Sequence, residues 1–224
     1  MTENVKLVAL TQPTISNDLV RSMMSPEQFI AYCARVSNPN NQNNHDTSEK
    51  LLSYCIKNQH WSIFEMVHIV IEINTTRDIA RQILRHRSFS FQEFSQRYAD
   101  ASQLGFTTRE ARLQDSKNRQ NSIEVNDAEL QKTWKMKQDQ LIHEAKLTYK
   151  WALDNGIAKE QARSILPEGN TNSRLYMAGS LRSWIHYCQL RMSKGTQKEH
   201  REVAEDCWKI LCSRFPFLNN QEQL

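Results

Sequence analysis

The sequence predicts an α+β fold, because strand patterns and helix patterns both occur along its 224 residues. Residues 67–74 (Val-His-Ile-Val-Ile-Glu-Ile-Asn) are rich in β-branched side chains and bounded by polar ones, which is typical of a strand. Residues 5–11 alternate in polarity and predict another strand. A stretch from about 123 to 154 carries apolar residues at helical spacing, and Asn155-Gly156 supplies a stop signal.

The remaining elements follow from shorter patterns. Helices are predicted over residues 26–36 and 47–58, and a strand over 174–179 leads into a helix in the 180s. A last helix, with Val203, Cys207, Ile210 and Leu211 on one face, ends before Pro216. The polar, irregular residues 101–121 are predicted to form a mobile connection. The buried stripe of the long helix is predicted to comprise Leu130, Trp134, Leu141, Ala145, Tyr149 and Ala152.

Composition narrows the class of protein without naming a function. Lys and Arg exceed Asp and Glu by 29 to 25, and the charges are spread along the chain, which suits anionic small molecules at least as well as nucleic acid. The N-terminus lacks the pattern of a signal peptide, and no apolar run approaches ~20 residues. A cytoplasmic protein without membrane or nucleic-acid partners is expected. The five cysteines show no paired-ligand spacing, so reduced thiols and no metal site are expected.

The most informative motif is Arg85-His86-Arg87, which is followed by Ser95 and Arg97. Several guanidiniums and an imidazole among apolar residues are costly unless an anion receives them. The planar fork of Arg binds phosphate bidentately and keeps its charge at any working pH. A single Arg could simply complement the dipole at a helix end, but so many basic residues together favour an anion site.

The flanks of this motif predict how the arginines are held. Thr75-Thr76-Arg77-Asp78 resembles a capping box with Asp in place of Glu, so a helix is predicted to begin there. Ile79, Ala80, Ile83 and Leu84 then form one apolar arc. Arg87 would project into that arc, so either the helix ends before it or a buried partner neutralises it.

The predicted helix of the 180s has two distinct faces. A narrow apolar arc comprises Leu181, Trp184, Ile185 and Cys188. The polar face comprises Arg182, His186 and Gln189. Arg191 lies at the edge of the apolar arc. There, in the last turn of the helix, it would complement the helix dipole.

Four segments in order resemble the flavin-dependent thymidylate synthases. His60-Trp-Ser-Ile-Phe-Glu65 is similar to that family's His-x-Ser/Thr-Pro-Phe-Glu segment, and residues 85–95 match its Arg-His-Arg-x7-Ser signature. Residues 162–167 (Ala-Arg-Ser-Ile-Leu-Pro) resemble its Ala-Arg-x-x-Leu-Pro segment, and residues 180–191 resemble its final helix. Since the four segments span residues 60 to 191, the chain is identified as a member of this family.

The resemblance implies one domain over residues 1–224, with a small, largely antiparallel sheet and several helices, one of them long. It implies an enzyme that methylates dUMP to dTMP in de novo thymidylate synthesis, with methylenetetrahydrofolate as the carbon donor. NADPH would supply reducing equivalents through bound FAD, so the protein would mainly position ligands and supply charge. The resemblance also implies a homotetramer whose sites are shared between subunits, with elements of the 60s to 90s of one chain facing Arg163 and Arg191 of another.

Site residues follow from the resemblance position by position. Those facing dUMP would be Gln82, Arg85, Glu93, Ser95, Arg97, Arg163 and Arg191. Those facing FAD would be His60, Ser62, Arg85, His86, Arg87, Glu93, Ser180, Arg182 and His186. Arg191 would be catalytic, holding the pyrimidine and favouring ionisation at its N3. Ser95 has no evident activating base, so it is expected to position substrate rather than attack it.

Some positions depart from the family pattern. Ile63 and Met66 stand where the family often has Pro and His. Gln96 stands where Gly is common, and a positive φ there would strain it. Ser180 and His186 stand where Asn is frequent, although both can still donate hydrogen bonds. His186 fits a surface histidine equally well.

Three other functions fit parts of the sequence. The unrelated thymidylate synthases use a Cys nucleophile near His, and Cys188 with His186 is the nearest match, but on a helix these two side chains point apart. A nucleic-acid-binding protein would place the same arginines on phosphates, although acidic residues are interspersed and no binding motif is present. A family member that keeps the flavin without turnover also fits.

Overall fold

The computed structural model describes residues 4–17 and 22–220. The strands are β1 (Val5–Leu10), β2 (Ser16–Asn17), β3 (Ser22–Met23), β4 (His68–Thr76), β5 (Ser90–Glu93), β6 (Arg112–Gln114), β7 (Ser122–Glu124) and β8 (Asn172–Ser180). The α-helices are α1 (Pro26–Ala34), α2 (Ser48–Lys57), α3 (Arg77–Ile83), α4 (Ala128–Asp154), α5 (Lys159–Ala162), α6 (Leu181–Arg191) and α7 (Lys198–Arg214). Short 3-10 helices occupy Pro39–Asn41, Trp61–Met66, Ala101–Leu104, Arg163–Ile165 and Pro216–Asn220. The predicted α+β class is confirmed.

The main sheet has four strands in the order β1-β4-β8-β5, and every pairing is antiparallel. The long central pair β4–β8 runs in register from His68 opposite Ser180 to Thr76 opposite Asn172. Two small hairpins, β2–β3 and β6–β7, lie outside it. The predicted small, largely antiparallel sheet is therefore confirmed.

The central strands pack one face against the helices that follow them. Ile69, Ile71 and Ile73 alternate along β4 and are fully buried, as the period of two requires. Trp184 on α6 is also fully buried, and its indole Nε1 donates to the carbonyl of Ile69 at 3.2 Å. That bond satisfies the polar atom of a large core side chain and fixes α6 on the sheet.

The antiparallel pairing of β4 and β8 determines where α3 and α6 meet. The helix α3 leaves the sheet after Thr76, at the end where β8 begins. The helix α6 leaves after Ser180, at the opposite end. Each helix runs back over the sheet, and their C-terminal ends meet where Arg191 contacts His86. Residues more than one hundred positions apart thereby share one site.

Gly179 on β8 permits a close approach that supports this region. A Cβ added there would lie 2.5 Å from Cδ1 of Phe89, whose ring packs edge-on against Trp184 at 4.9 Å between centroids. Replacing Gly179 with alanine is expected to lower the free energy of unfolding by about 1–3 kcal/mol, because a packed aromatic ring must shift. Gly169→Ala is the matched control, since nothing lies within 4 Å of an added Cβ there. Urea unfolding checks this, and equal midpoints for both variants would contradict it.

The buried face of α4 is displaced from the predicted stripe. Ala145, Tyr149 and Ala152 are buried as predicted, whereas Leu130, Trp134 and Leu141 are exposed by 37%, 44% and 55%. The prediction is wrong for these three because Gln138 and Ile142 take the buried positions. The Gln138 amide is satisfied there: it accepts from the backbone N–H of Arg109 at 2.9 Å and donates to its carbonyl at 2.8 Å. Hydrophobicity alone does not reveal a buried, fully bonded amide.

The start of α4 is also later than predicted. Asp127 caps the helix by accepting hydrogen bonds from the backbone N–H groups of Glu129 and Leu130. Residues 123 and 124, which periodicity assigns to the helix, instead belong to β7. The predicted stop is confirmed, since Asn155 is the C-cap and Gly156 adopts a φ of +76°.

Residues 101–121 contain more structure than a mobile connection. They include the 3-10 helix at Ala101–Leu104 and strand β6. Ala101 is buried against Tyr149, whose hydroxyl accepts from its backbone N–H at 3.3 Å. Arg109 donates to Thr76 Oγ1 at 2.6 Å and to Asp78 Oδ1 at 2.7 Å. The polar composition of the segment predicted an irregular connection, but hydrogen bonds of polar side chains such as Arg109 hold it against the rest of the fold.

Those bonds also explain why the predicted capping box is wrong. The N-cap of α3 is Thr76, and its side chain makes no capping bond. Its hydroxyl instead donates to the Asp78 carboxylate at 2.6 Å, and both groups accept from Arg109. The helix does begin where predicted.

No helix within residues 4–17 and 22–220 combines the length and apolar character needed to cross a bilayer.

Candidate active site

The Arg85-His86-Arg87 motif lies in the turn between α3 and β5. The helix ends at Ile83, and the backbone N–H of His86 donates to the Ile83 carbonyl at 3.0 Å. His86 is half-buried, while Arg85 and Arg87 on either side are exposed. Of the two alternatives for Arg87, the structure therefore shows the first: the helix ends before it. The turn presents two guanidiniums outward and one imidazole inward.

His86 faces Arg191 at the end of α6. The Nε of Arg191 donates to Nε2 of His86 at 2.9 Å, so His86 must be neutral and carry its proton on Nδ1. Burial, with the Arg191 guanidinium second, lowers the pKa of His86 to about 4. An imidazolium there would face a second cation. The pair therefore holds one positive charge at neutral pH, on Arg191.

This pair makes stability depend on pH. The pKa of His86 falls from 6.5 to about 4 on folding, and burial lowers that of His200, 6.4 Å away between ring centroids, to about 3. From about pH 6.5 down to these lowered pKa values, the unfolded chain binds more protons than the folded one. The free energy of unfolding therefore falls as pH falls through this window. We expect lower stability at about pH 5 than at about pH 7, and a smaller decrease in His200→Asn. Urea unfolding at both pH values checks this; a decrease identical in wild type and variant would contradict it.

Gln82, on α3, joins the same cluster. Its Nε2 donates to Oε1 of Gln197 at 2.8 Å, and its Oε1 lies 3.2 Å from Nδ1 of the fully buried His200. The His86 ring packs edge-on against Tyr187 at 4.9 Å, and the Tyr187 hydroxyl contacts His200. The structure thus brings together Gln82, His86 and Arg191, three of the predicted site residues, within one chain. The resemblance implied instead that Arg191 would face the other two from another chain.

A second group lies at the start of α6. The Ser180 hydroxyl caps the helix by accepting from the backbone N–H of Ser183. Arg182 donates to Oε1 of Glu65 at 2.8 Å. The Ser180 hydroxyl, followed by Arg182, lowers the pKa of Glu65. Glu65 is therefore an anion that orients the Arg182 guanidinium.

His186, His60 and Ser62 lie around this second group. His186 is half-buried, and its ring packs edge-on against Trp61 at 4.4 Å, so it is not a simple surface histidine. Burial, followed by Arg182, lowers its pKa. His60 is exposed and contacts Tyr54 edge-on at 6.1 Å, and Ser62 is exposed. These groups offer an aromatic surface, hydroxyls and a cation to a ligand.

Glu93 ends β5 and is held by residues of the neighbouring elements. It accepts from the Ser173 hydroxyl at 2.6 Å and lies 3.5 Å from Nη1 of Arg77. A carboxylate with these two partners is fixed as an acceptor.

The remaining predicted dUMP residues lie outside these clusters: Ser95, Arg97 and Arg163. Ser95 is exposed, and Arg97 pairs with Glu160 at 3.2 Å, on the helix that leads directly into Arg163. Gln96 is buried, and its backbone lies outside the positive-φ region, so the condition under which a positive φ would strain this residue is not met. Within the described residues, no hydrogen bond, ion pair or ring contact joins Arg97 or Arg163 to the His86–Arg191 pair.

Several guanidiniums have no protein partner. Over residues 4–17 and 22–220, Arg85, Arg87 and Arg163 make no ion pair and no side-chain hydrogen bond, in contrast to Arg81, which pairs with Glu168. Unpaired guanidiniums that flank a half-buried imidazole suit a phosphate-bearing ligand. The donor set therefore fits a dinucleotide cofactor and a nucleotide.

The thiol alternative finds no support in the geometry. Cys188 is fully buried, and burial raises the pKa of its thiol well above the ordinary range. A nucleophilic Cys needs its thiolate and access to substrate.

Some residues of these clusters are not among the predicted site residues, for example Glu65, Glu160, Tyr187 and His200. A signal for His200 existed, because it extends the apolar row of Val203, Ala204, Cys207 and Leu211 by one helical turn. A histidine on a buried stripe requires polar partners, which the site supplies. No comparable pattern marks Glu160.

Comparisons with known proteins find relatives over most of the chain. Residues 18–217 match the family model described as thymidylate synthase complementing protein. The chain is 53% identical over 213 residues to a flavin-dependent thymidylate synthase of Synechocystis sp., covering 95% of this chain and 96% of that one. It is 47% identical over 213 residues to a probable flavin-dependent thymidylate synthase of Paramecium bursaria Chlorella virus 1, covering 95% of each.

A solved structure shares the fold. The crystal structure of a UMP/dUMP methylase, PolB from Streptomyces cacaoi bound with 5-Br dUMP, superposes with a TM-score of 0.76 at 24% identity, covering 96% of this chain and 92% of that one. The extent of the family match and the identity to its members lead to one conclusion: the chain belongs to the thymidylate synthase complementing proteins, the family of flavin-dependent thymidylate synthases.

Proposed function

We propose that the chain catalyses the reductive methylation of dUMP to dTMP, with methylenetetrahydrofolate as carbon donor and NADPH as reductant through bound FAD. The observation that carries the proposal is the meeting of Gln82, His86 and Arg191 where α3 and α6 end. His86 and Arg191 are matched positions of two family segments that lie far apart in the sequence, and Gln82 lies just before the first of them. Their meeting places an amide, a neutral imidazole and a guanidinium next to the aromatic ring of Tyr187.

In this proposal dUMP is bound by Gln82, Arg85, Glu93, Ser95, Arg97, Arg163 and Arg191. Arg85 and Arg163 have no protein partner among the described residues, which leaves their guanidiniums available to the phosphate. Arg191 holds the pyrimidine and stabilises negative charge that develops on it. The half-buried setting strengthens this effect, because less water screens the charge. His86, kept neutral, does not add a second cation.

FAD would be held by His60, Ser62, Arg85, His86, Arg87, Glu93, Ser180, Arg182 and His186. The residues fit this cofactor: Arg87 is exposed and, within the described part of the chain, has no partner that would compete with a diphosphate, and Arg182 is oriented by Glu65. When bound, FAD would carry the reducing equivalents supplied by NADPH. Ser180 and His186, which replace the frequent Asn, retain hydrogen-bonding groups at the start of α6 and beside Trp61.

We also propose a homotetramer in which different subunits complete each site. Over residues 4–17 and 22–220 of one chain, no hydrogen bond, ion pair or ring contact joins Arg97 or Arg163 to the His86–Arg191 pair, so a second subunit would supply them. The helix α4 carries exposed apolar side chains on two stripes, one comprising Leu130, Trp134 and Leu141, the other Met136, Leu147 and Trp151. Exposed apolar surface of this extent is typical of subunit interfaces. Light scattering should give four times the 26.3 kDa mass of one chain.

The proposed reaction is tested by omission. Purified protein is supplied with dUMP, methylenetetrahydrofolate, NADPH and FAD, and dTMP is measured by chromatography while each component is left out in turn. The proposal expects dTMP only when dUMP, methylenetetrahydrofolate and NADPH are all present, and it expects added FAD to be needed only by protein that was purified without its flavin. A yellow, folded protein that forms no dTMP would support a flavoprotein without this turnover. A colourless protein that binds nucleic acid would support the basic-patch alternative.

A further inference from the structure

A chain of side-chain hydrogen bonds lies beneath the His86–Arg191 pair. The Tyr187 hydroxyl lies 3.2 Å from Nε2 of His200, and Nδ1 of His200 lies 3.2 Å from Oε1 of Gln82. Gln82 donates to Gln197 at 2.8 Å, and Gln197 donates to Glu199 at 3.0 Å. The chain ends at the Glu199 carboxylate, which also accepts from Arg112.

The carboxylate at the end of the chain fixes the direction of every bond in it. An ionised Glu199 only accepts, so Gln197 must present its Nε2 there and its Oε1 towards Gln82. Gln82 must then present Nε2 to Gln197 and Oε1 to His200. An amide oxygen only accepts, so Nδ1 of His200 carries the proton and Nε2 accepts from Tyr187.

Burial keeps this arrangement in one protonation state. His200 is fully buried and Tyr187 nearly so. Burial lowers the pKa of His200 to about 3 and raises that of Tyr187 well above its ordinary range, so the imidazole stays neutral and the phenol stays protonated. A rotated Gln82 amide would place an N–H against the N–H of His200 and leave Oε1 facing the oxygen of Gln197.

We propose that His200 is a positioning residue that locks the Gln82 amide in a single orientation towards the bound nucleotide. The inference rests on the proposed function, in which Gln82 contacts dUMP. His200 has no solvent exposure and cannot reach a ligand itself, whereas Gln82 is half-buried. Gln82 keeps one N–H and one carbonyl lone pair for the ligand. A uracil ring carries both N–H donors and carbonyl acceptors, so a rotated amide would present the wrong partner to each.

The test uses two amides of different reach at position 200. The amide group of Asn reaches about as far as Nδ1 of histidine, so His200→Asn keeps a donor for Gln82 and loses the contact to Tyr187. The amide group of Gln reaches about as far as Nε2, so His200→Gln keeps the contact to Tyr187 and loses the donor for Gln82. His200→Leu removes both. All three leave related cavities, so a purely structural role would affect Asn and Gln alike.

The expected result is a KM for dUMP raised roughly tenfold in His200→Gln and His200→Leu, the cost of about one hydrogen bond, with kcat and flavin content retained. In His200→Asn the KM should stay near the wild-type value. Equal KM values for the Asn and Gln variants, whether raised or unchanged, would overturn the proposal.

A second readout does not depend on turnover. In protein with 15N-labelled histidine, long-range 1H–15N spectra should show the Nδ1–H tautomer for His200, assigned among the seven histidines by its loss in His200→Asn. An Nε2–H tautomer would overturn the proposal even in an active enzyme. If the wild type shows this Nδ1–H tautomer yet neither binds nor methylates dUMP, the proposed function fails while His200 is still shown to orient Gln82.

Discussion

Replacing Arg191 with alanine is expected to lower turnover by about 10²–10³-fold while leaving the fold intact. Arg191 is half-buried at the end of α6, and its Nε donates to the neutral imidazole of His86. It is the one cation in contact with the Gln82–His86 cluster over the described residues. Without it, negative charge that develops on the pyrimidine would lose its closest stabilising group. The rate of dTMP formation at saturating dUMP measures the effect.

Two further variants separate this role from a structural one. Arg191→Lys keeps the positive charge but not the planar fork, so its rate should lie between those of wild type and Arg191→Ala. Arg201→Ala, on α7, removes a half-buried guanidinium that pairs with Glu205 and should leave turnover unchanged. Circular dichroism and flavin absorbance show whether each variant is folded and loaded. Near-normal turnover of Arg191→Ala would remove Arg191 from the mechanism.

Replacing Arg87 with alanine is expected to weaken the retention of FAD by roughly tenfold or more, because a charge-assisted bond to a phosphate is lost. Arg87 is exposed beyond the end of α3 and has no partner among the described residues. A guanidinium without a carboxylate partner is free to bind a phosphate group. The ratio of flavin to protein after gel filtration, followed by titration with added FAD, measures the loss.

Arg81→Ala provides the matched control. Arg81 is also exposed and lies only six residues earlier, but it already pairs with Glu168. Both changes remove one positive charge from the same region, so a general electrostatic effect would weaken flavin binding equally in both. The proposal expects retention near the wild-type level in Arg81→Ala. An unchanged flavin ratio in Arg87→Ala would contradict the assignment of Arg87 to the cofactor.

Elements with a single dominant pattern could be predicted from the sequence. The strand β4 alternates fully buried isoleucines with less buried residues, and the arc of α6 places Leu181, Trp184, Ile185 and Cys188 in the core. In both elements, burial of apolar side chains decides the structure. Because the buried face repeats at a fixed spacing, the apolar residues are periodic in the sequence.

Elements held by polar bonds could not be predicted in the same way. Gln138 occupies a buried position of α4 because two backbone groups of Arg109 bind its amide. Thr76 and Asp78 hold Arg109 instead of forming the predicted capping box. Each of these depends on a partner that lies about thirty positions away, and no local pattern records such a pairing.

The candidate site was located by motifs and completed by geometry. The Arg-His-Arg motif indicated where an anion would bind, but the antiparallel pairing of β4 and β8 is what brings Arg191 to His86. Periodicity also could not decide whether Arg87 is buried beside a partner or lies beyond the end of the helix. The structure shows the second arrangement, because α3 ends at Ile83. The contacts of Arg97 and Arg163 with a nucleotide stay predictions, since one chain does not bring them to this cluster.

The central claim is most directly tested by tritium release from dUMP labelled at C5. The protein is supplied with FAD and methylenetetrahydrofolate, with and without NADPH. Release that requires NADPH is the predicted result, because the flavin must be reduced, whereas a Cys-dependent thymidylate synthase needs no external reductant. Release that is equal without NADPH, or no release from a flavin-loaded protein, would contradict the proposed reaction.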